Sequence, residues 1–132
     1  MPVTIVDAMR RDLGGFEVGR VLPQGGHRSV GPFVFFDHMG PAEFPPGKGI
    51  AVRPHPHIGI ATITYLFEGE IMHRDSLGYE QVIRPGQVNL MTAGRGIVHA
   101  EDAVTDDPGR LHAAQLWIAM PDAERHREPS FH

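Results

Sequence analysis

The stretch IGIATITYLFEGE, residues 58–70, decides the fold class of this chain. Residues 58–67 are apolar on both faces of an extended chain and rich in β-branched and aromatic side chains, a pattern typical of a buried central strand. The Glu-Gly-Glu that follows predicts a turn, after which the chain runs back as a second strand. This stretch therefore favours an all-β domain.

Along the rest of the chain, turn signals alternate with short strand candidates. Pro85-Gly86 and Pro108-Gly109 are strong turn pairs. A Phe-rich strand is predicted at 32–39, with a loop over 40–49 that forms the rim of a site. Further strands are predicted at 71–75, 79–84, 87–91, 97–102 and 111–120. This spacing, without βαβ alternation, predicts a single-domain sandwich or barrel.

The two ends of the chain carry weaker signals. Residues 1–20 are predicted to form an N-terminal arm with little structure of its own, because Gly14-Gly15 ends a short helical turn. Residues 121–132 are polar and are predicted to be a helical or loose C-terminal tail. The single domain therefore comprises 1–132, and its core includes Phe33, Phe35 and Phe36.

Composition excludes several classes of function. The 132 residues carry a formal net charge of −4, so no basic field exists to hold nucleic acid. No stretch approaches a membrane span and the N-terminus does not resemble a signal peptide, so we expect a cytoplasmic protein. There is no Cys, so any metal must be held by His, carboxylate or carbonyl groups.

The segment Arg53-Pro54-His55-Pro56-His57 predicts a pair of metal ligands. The prolines keep the chain extended, and side chains at i and i+2 of an extended chain point to the same side. The two imidazoles can therefore share one metal ion.

A second pair with the same spacing, His99-Ala100-Glu101, lies in a predicted strand. Three imidazoles and one carboxylate suit one divalent transition metal: iron, manganese, cobalt, nickel, copper or zinc. An octahedral ion would keep two open positions, which indicates chemistry or sensing rather than a structural role. A lone His-x-His is often only solvated, and the prediction rests on finding two such pairs.

The remaining histidines are interpreted as surface or hydrogen-bonded groups without a role as ligands: His27, His73, His112, His126 and His132. His38 is placed near the rim of the site. Gln115 or Thr92 could bond the ligand shell, because a ligating imidazole needs a partner for its second nitrogen.

Four segments resemble the pirin family of the cupin superfamily: DHMGP at 37–41, PHPHIG at 54–59, TYLFEG at 64–69 and MTAGRGIVHAE at 91–101. Gln115-Leu116-Trp117 and Pro121 resemble the end of the pirin N-terminal domain. The likeness covers about Gly19 to Pro129. It implies a cupin-type double-stranded β-barrel (jelly roll), and it matches the N-terminal cupin domain only.

The resemblance also implies a function. Its ligand positions are His55, His57, His99 and Glu101, with Fe(II) as the usual metal. Some pirins resemble quercetin 2,3-dioxygenases, which implies a flavonol- or catechol-like substrate and Glu101 as the catalytic proton acceptor. Others are described as iron-dependent, non-enzymatic regulators, which implies iron or redox sensing and a protein partner.

Two departures from the family pattern stand out. Ala61 lies where many pirins carry a Glu, so we expect an altered environment around the ligands. Typical pirins have two cupin domains, so this chain is either a single-domain member or a fragment. A lone barrel would leave one face uncovered, and we expect a homodimer to cover it.

Overall fold

The computed structural model describes residues 1–132 as eleven β-strands in two antiparallel sheets. It contains no helix of the length and apolarity that a membrane span requires. The strands are β1 (Met9–Asp12), β2 (Glu17–Leu22), β3 (Phe33–Phe44), β4 (Ala51–His57), β5 (Ile60–Glu68), β6 (Ile71–Asp75), β7 (Glu80–Ile83), β8 (Val88–Thr92), β9 (Ile97–Asp102), β10 (Gly109–Ala119) and β11 (Ser130–Phe131). The predicted all-β fold is confirmed.

The two sheets pack face to face as a double-stranded barrel. One has seven strands in the order β1-β2-β3-β10-β5-β8-β11, and the other has four in the order β4-β9-β6-β7. The main core cluster between them contains eight buried residues: Val18, Met39, Ile50, Leu66, Ile71, Ile83, Leu111 and Ala113. This core closes one end of the barrel, and the polar side chains described below lie towards the other.

The predicted central strand is β5, which pairs with both β10 and β8. It starts at Ile60 rather than at residue 58 because Gly59 turns the chain with a φ of 72°. Thr62 and Thr64 are buried on its inner face, and the alternate residues face outward. The inner face is therefore polar near the site and apolar beyond it.

The N-terminal arm predicted over 1–20, with little structure of its own, is found at residues 1–8, which form no strand, but the prediction is wrong for the rest. β1 and β2 form a hairpin, and β2 pairs with β3. Gly14 and Gly15 both have positive φ, so the double Gly makes the turn of this hairpin. Val18 and Leu22 are buried, which anchors β2 in the core.

The predicted loop over 40–49 is also partly wrong, because β3 continues to Phe44. Gly40, with a φ of 79°, allows the strand to pass β10 where their register shifts. A Cβ at Gly40 would collide with the carbonyl oxygen of Leu111. Only the part of the segment beyond Phe44 forms a loop.

The C-terminal tail is neither helical nor loose throughout. After a series of turns, β11 pairs with β8, and Phe131 is buried. The tail packs against Gly94, where a Cβ would collide with the carbonyl oxygen of Arg127. A single aromatic residue therefore anchors a segment whose composition is otherwise polar.

Candidate metal centre

The two predicted ligand segments lie on adjacent strands. β4 pairs with β9, and His55 is directly opposite His99. β4 is the edge strand of its sheet and has a neighbour on one side only. Pro54 and Pro56, which lack a backbone N–H, are therefore tolerated there. The predicted extended conformation of the His55–His57 segment is confirmed.

Three imidazoles converge between the sheets. The ligand atoms of His55, His57 and His99 all lie within 4.8 Å of one another. The Nε2 atom of His99 is 3.0 Å from that of His55 and 3.2 Å from that of His57. Two nitrogens bound at right angles to one ion, each about 2.1 Å from it, would be separated by about 3.0 Å. The cluster therefore fits one transition metal.

The hydrogen bond behind His55 fixes the state of its ring. Its Nδ1 lies 2.8 Å from the carbonyl oxygen of Arg53, which can only accept. The proton of the neutral ring is therefore assigned to Nδ1, and Nε2 presents a lone pair to the cluster. This is the form in which an imidazole binds a metal.

Burial keeps the other two rings neutral. Desolvation, and then the nearby His55, lower the pKa of His57 to about 4. Desolvation, followed by the charges of His55, His57 and His73, lowers the pKa of His99 to about 3. Both imidazoles are therefore unprotonated at neutral pH, the form in which an imidazole can bind a metal.

Glu101 lies on β9 below the cluster and is 3% exposed. Gln115 Nε2 donates to its Oε1 at 3.2 Å, and Thr64 Oγ1 donates to the same oxygen at 3.5 Å. Burial raises the pKa of Glu101, and the bond from Gln115 opposes that shift. Glu101 is outside the group of ligand atoms that lie within 4.8 Å of one another.

The predicted role for Gln115 is thus found, although it bonds a carboxylate and not an imidazole. Thr92 is buried but makes no side-chain hydrogen bond to the cluster. Thr64 is a contact that the sequence reasoning missed. The signal for it was the alternation of β5, which places Thr64 inward and directly opposite Gln115.

His73 was interpreted as one of the scattered histidines, yet it is 2% exposed and lies behind His99. The Nδ1 atoms of the two rings are 3.4 Å apart. On its other side, Nε2 of His73 is 2.7 Å from Oδ2 of Asp75. The missed signal is that His73-Arg74-Asp75 is a third pair with i, i+2 spacing on a strand.

An aromatic wall flanks the cluster on the side of the seven-stranded sheet. Trp117 meets His57 edge to face with a centroid distance of 5.0 Å and stacks on Phe35 at 4.0 Å. The guanidinium of Arg20 lies 4.6 Å from the Phe35 centroid and is bonded to the buried Asp37. Phe35 is buried as predicted, whereas Phe33 and Phe36 are only half-buried.

His38 does not lie at the rim of the cluster but pairs with His112, which is a hydrogen-bonded group as predicted. Their Nε2 atoms are 2.8 Å apart, and the His112 ring packs on Phe67. They face each other from β3 and β10, a placement that sequence spacing does not reveal. His27, His126 and His132 are exposed, as predicted.

Two cavities lie at opposite ends of β4, and one of them reaches the cluster. A pocket of about 360 Å³ reaches His57 and is lined mainly by apolar side chains, among them Ile58, Ile97 and Val98. A larger groove of about 1370 Å³ lies at the opposite end of β4, beside Ile50. The loop after Phe44 lines that groove, so the prediction that segment 40–49 forms the rim of the metal site is wrong.

Ala61 lies on the outer face of β5. It is one residue out of phase with Thr62 and pairs with Ile118 of β10. The expected disturbance of the ligand environment at this position is therefore not observed, because the side chain faces away from the cluster.

Comparisons with known proteins agree with this architecture. The family model described as Pirin matches residues 15–118. A Pirin-like protein of Caulobacter vibrioides is 57% identical over 131 residues, covering 96% of this chain and 46% of the relative. "Putative quercetin 2,3-dioxygenase PA1205" of Pseudomonas aeruginosa is 57% identical over 118 residues, covering 89% of this chain and 37% of the relative.

A solved structure and a human relative show the same similarity. A quercetin 2,3-dioxygenase from Acinetobacter baumannii superposes with a TM-score of 0.92 at 50% identity, covering 96% of this chain and 42% of that one. Human Pirin is 36% identical over 118 residues, covering 89% of this chain and 38% of the human protein. The chain spans less than half the length of each of these proteins.

Proposed function

This chain belongs to the pirin family, and from that premise we propose that it is a metal-dependent dioxygenase of the quercetinase type. The proposed ligands are His55, His57 and His99, with Glu101 as the fourth. Fe(II) is the leading metal, and nickel, cobalt, manganese, copper and zinc are the alternatives that this donor set also suits. The proposed substrate is a flavonol- or catechol-like ring.

One observation carries the proposal: three imidazoles turn their Nε2 atoms towards one point beside a buried carboxylate. A bound Fe(II) would supply Lewis acidity and redox chemistry there, with positions left for substrate and dioxygen. The similarity to proteins named quercetin 2,3-dioxygenase supports the choice of reaction.

Glu101 is proposed as the proton acceptor. It is the one carboxylate in the proposed ligand set, so it is the ligand able to accept a proton from a substrate hydroxyl. The bond from Gln115 Nε2 to Oε1 orients the carboxylate. Oε2 lies 3.5 Å from the same amide, and we assign proton transfer to this less tightly bonded oxygen.

Aromatic and apolar surfaces suit a flat substrate. Trp117 contributes a ring at the edge of the His57 imidazole and stacks on Phe35. The Nε1 atom of Trp117 is buried and has no hydrogen-bond partner. An oxygen-bearing aromatic substrate would offer it an acceptor.

The test is oxygen uptake by the Fe(II)-loaded protein with quercetin. We expect turnover by the wild type and by His112→Ala, whose substitution lies on a different face. Glu101→Gln removes the proton acceptor and should lower the rate about 100-fold or more. A fully metallated wild type that consumes no oxygen with quercetin would contradict this reaction.

The second candidate is an iron- or redox-sensing regulator that binds a protein partner. Ile58 and Val98 favour it, because they are 62% and 42% exposed and line the pocket that reaches His57. Partner capture with ferrous and with ferric protein would separate the two functions. Identical partners in both states would argue against a sensor.

We further propose that a second copy of the chain covers the outer face of the seven-stranded sheet. Phe67 and Val88 are 54% and 65% exposed on β5 and β8, two strands that pair with each other. Sedimentation velocity should give a dimer for the wild type and a monomer for Phe67→Glu. A wild type that sediments as a monomer at high concentration would rule this out.

A further inference from the structure

The pair His73 and Asp75 is buried behind His99 and has no part in the function proposed so far. The Asp75 side chain is completely inaccessible and His73 is 2% exposed. We propose that this pair is a positioning device that fixes the tautomer of His99. It holds the ring proton on Nδ1 and so leaves Nε2 free as a metal ligand. The inference rests on the metal site proposed above.

The two carboxylate oxygens of Asp75 accept hydrogen bonds from different groups. Oδ1 accepts from the backbone N–H of Leu77 at 2.9 Å and from that of Tyr79 at 3.2 Å, so it holds the β6–β7 turn. Oδ2 faces Nε2 of His73 at 2.7 Å. A carboxylate can only accept, so the proton of that bond is on Nε2 of His73.

The next bond follows from the first. With its proton on Nε2, the His73 ring presents the lone pair of Nδ1 to Nδ1 of His99 at 3.4 Å. His99 must therefore donate, with its own proton on Nδ1. Phe131 stacks on the His73 ring at 4.1 Å and keeps it in the plane that this contact needs.

The consequence appears on the other side of His99. Its Nε2 then carries no proton, and it lies 3.0 Å from Nε2 of His55, which is also unprotonated because Nδ1 of His55 donates to Arg53. Two lone pairs at this distance repel unless a cation lies between them. Asp75 and His73 thus prepare the cluster for a metal ion before it arrives.

Asp75→Asn tests this chain of bonds. The two backbone N–H groups still require an oxygen at the Oδ1 position, so the amide NH₂ must occupy the position of Oδ2. It would then donate to Nε2 of His73 and drive the His73 proton to Nδ1. His99 would have to accept there, and its proton would move to Nε2, the proposed ligand atom.

Two measurements follow on the full chain. In the metal-free protein, ¹⁵N NMR should show His99 protonated on Nδ1 in the wild type and on Nε2 in Asp75→Asn. Zn²⁺ affinity, measured in competition with a chelator, should fall about 10- to 100-fold. A fold check by circular dichroism accompanies each variant.

Asp102→Asn is the matched control for lost charge, because Asp102 lies on the same sheet and bonds only Arg74. We expect less than a twofold change in Zn²⁺ affinity for it. His73→Phe keeps the stacking on Phe131 but removes the acceptor. If Asp75 acts through His73, adding Asp75→Asn to His73→Phe should have almost no further effect.

The possible outcomes distinguish the positioning role of His73 and Asp75 from the proposed metal site. Wild-type His99 protonated on Nε2, or Asp75→Asn with unchanged tautomer and affinity, would overturn the positioning role and leave the metal site standing. The expected tautomers in a wild type that binds no metal would keep the positioning role and refute the metal site.

Discussion

The imidazole cluster on β4 and β9 and the His38–His112 pair on β3 and β10 differ in what surrounds them. Both bring Nε2 atoms to about 3 Å. The cluster has a third imidazole, a buried carboxylate beside it and the His73–Asp75 pair behind it. The His38–His112 pair has none of these, and one ring packs on Phe67.

Close imidazoles alone are therefore not expected to make a metal site. In the pair, one ring can donate to the other, and both nitrogens are satisfied. In the cluster, the bonds behind His55 and His99 direct unprotonated nitrogens at one another. We therefore expect metal binding to depend on the bonds behind these two rings as well as on the atoms that face the ion.

The largest effect is expected from metal binding itself. At a free Zn²⁺ concentration of 100 times Kd, the free energy of unfolding should rise by about 2.7 kcal/mol, measured by urea denaturation. His99→Ala should lose this increase, and His112→Ala should retain it in full. If the increase persists in His99→Ala but is lost in His112→Ala, the metal binds at the His38–His112 pair and not at the cluster.

A smaller effect should appear when the pH of the metal-free protein is lowered. His57 and His99 have folded pKa values of about 4 and about 3, below the value of 6.5 of the free side chain. The unfolded state therefore binds more protons, and stability falls as the pH drops from about 6.5 towards 3. Each group contributes up to about 1.4 kcal/mol per pH unit.

Glu101 has the opposite effect on the pH dependence of stability. Because its pKa is raised in the folded state, the folded protein holds a proton that the unfolded chain has already released. The net slope is therefore smaller than the sum of the two imidazoles. Urea denaturation of the metal-free wild type and of His99→Phe at several pH values measures it. A variant slope as steep as that of the wild type would show that His99 is not the group responsible.

The smallest effect is expected from Gln115→Leu. This change removes the amide that donates to Glu101, so it should raise the carboxyl pKa further and weaken Zn²⁺ binding about 10-fold. Gln81→Leu is a suitable control, since Gln81 is exposed and its side chain bonds only the backbone carbonyl of Val82. Equal affinities for the two variants would remove Glu101 from the proposed ligand set.

Much of the fold follows from the sequence, because strand alternation and turn residues are local signals. Residues 58–70 predicted β5 and the turn after it to within two residues at the start. β11 was missed because its partner, β8, lies far along the chain, whereas β1 and β2 were missed because the double Gly between them was interpreted as the end of a helical turn. A double Gly is compatible both with the end of a helix and with a hairpin turn, and only the pairing of the flanking strands distinguishes the two.

The i, i+2 spacing predicted the two candidate ligand pairs but not the residues that surround them. The three imidazoles come together because β4 and β9 are neighbours, which spacing alone suggested but could not fix. His73 and Asp75 have the same spacing, yet their role depends on the β6–β9 pairing and on burial. The His38–His112 pair arises only from the register of β3 against β10.

The central claim is that His55, His57 and His99 hold one metal ion. The most direct test is the metal content of the purified wild type beside His55→Ala, with His38→Ala as the control from the other pair. We predict about one metal per chain in the wild type and in His38→Ala, and almost none in His55→Ala. Equal metal in all three proteins would contradict the account.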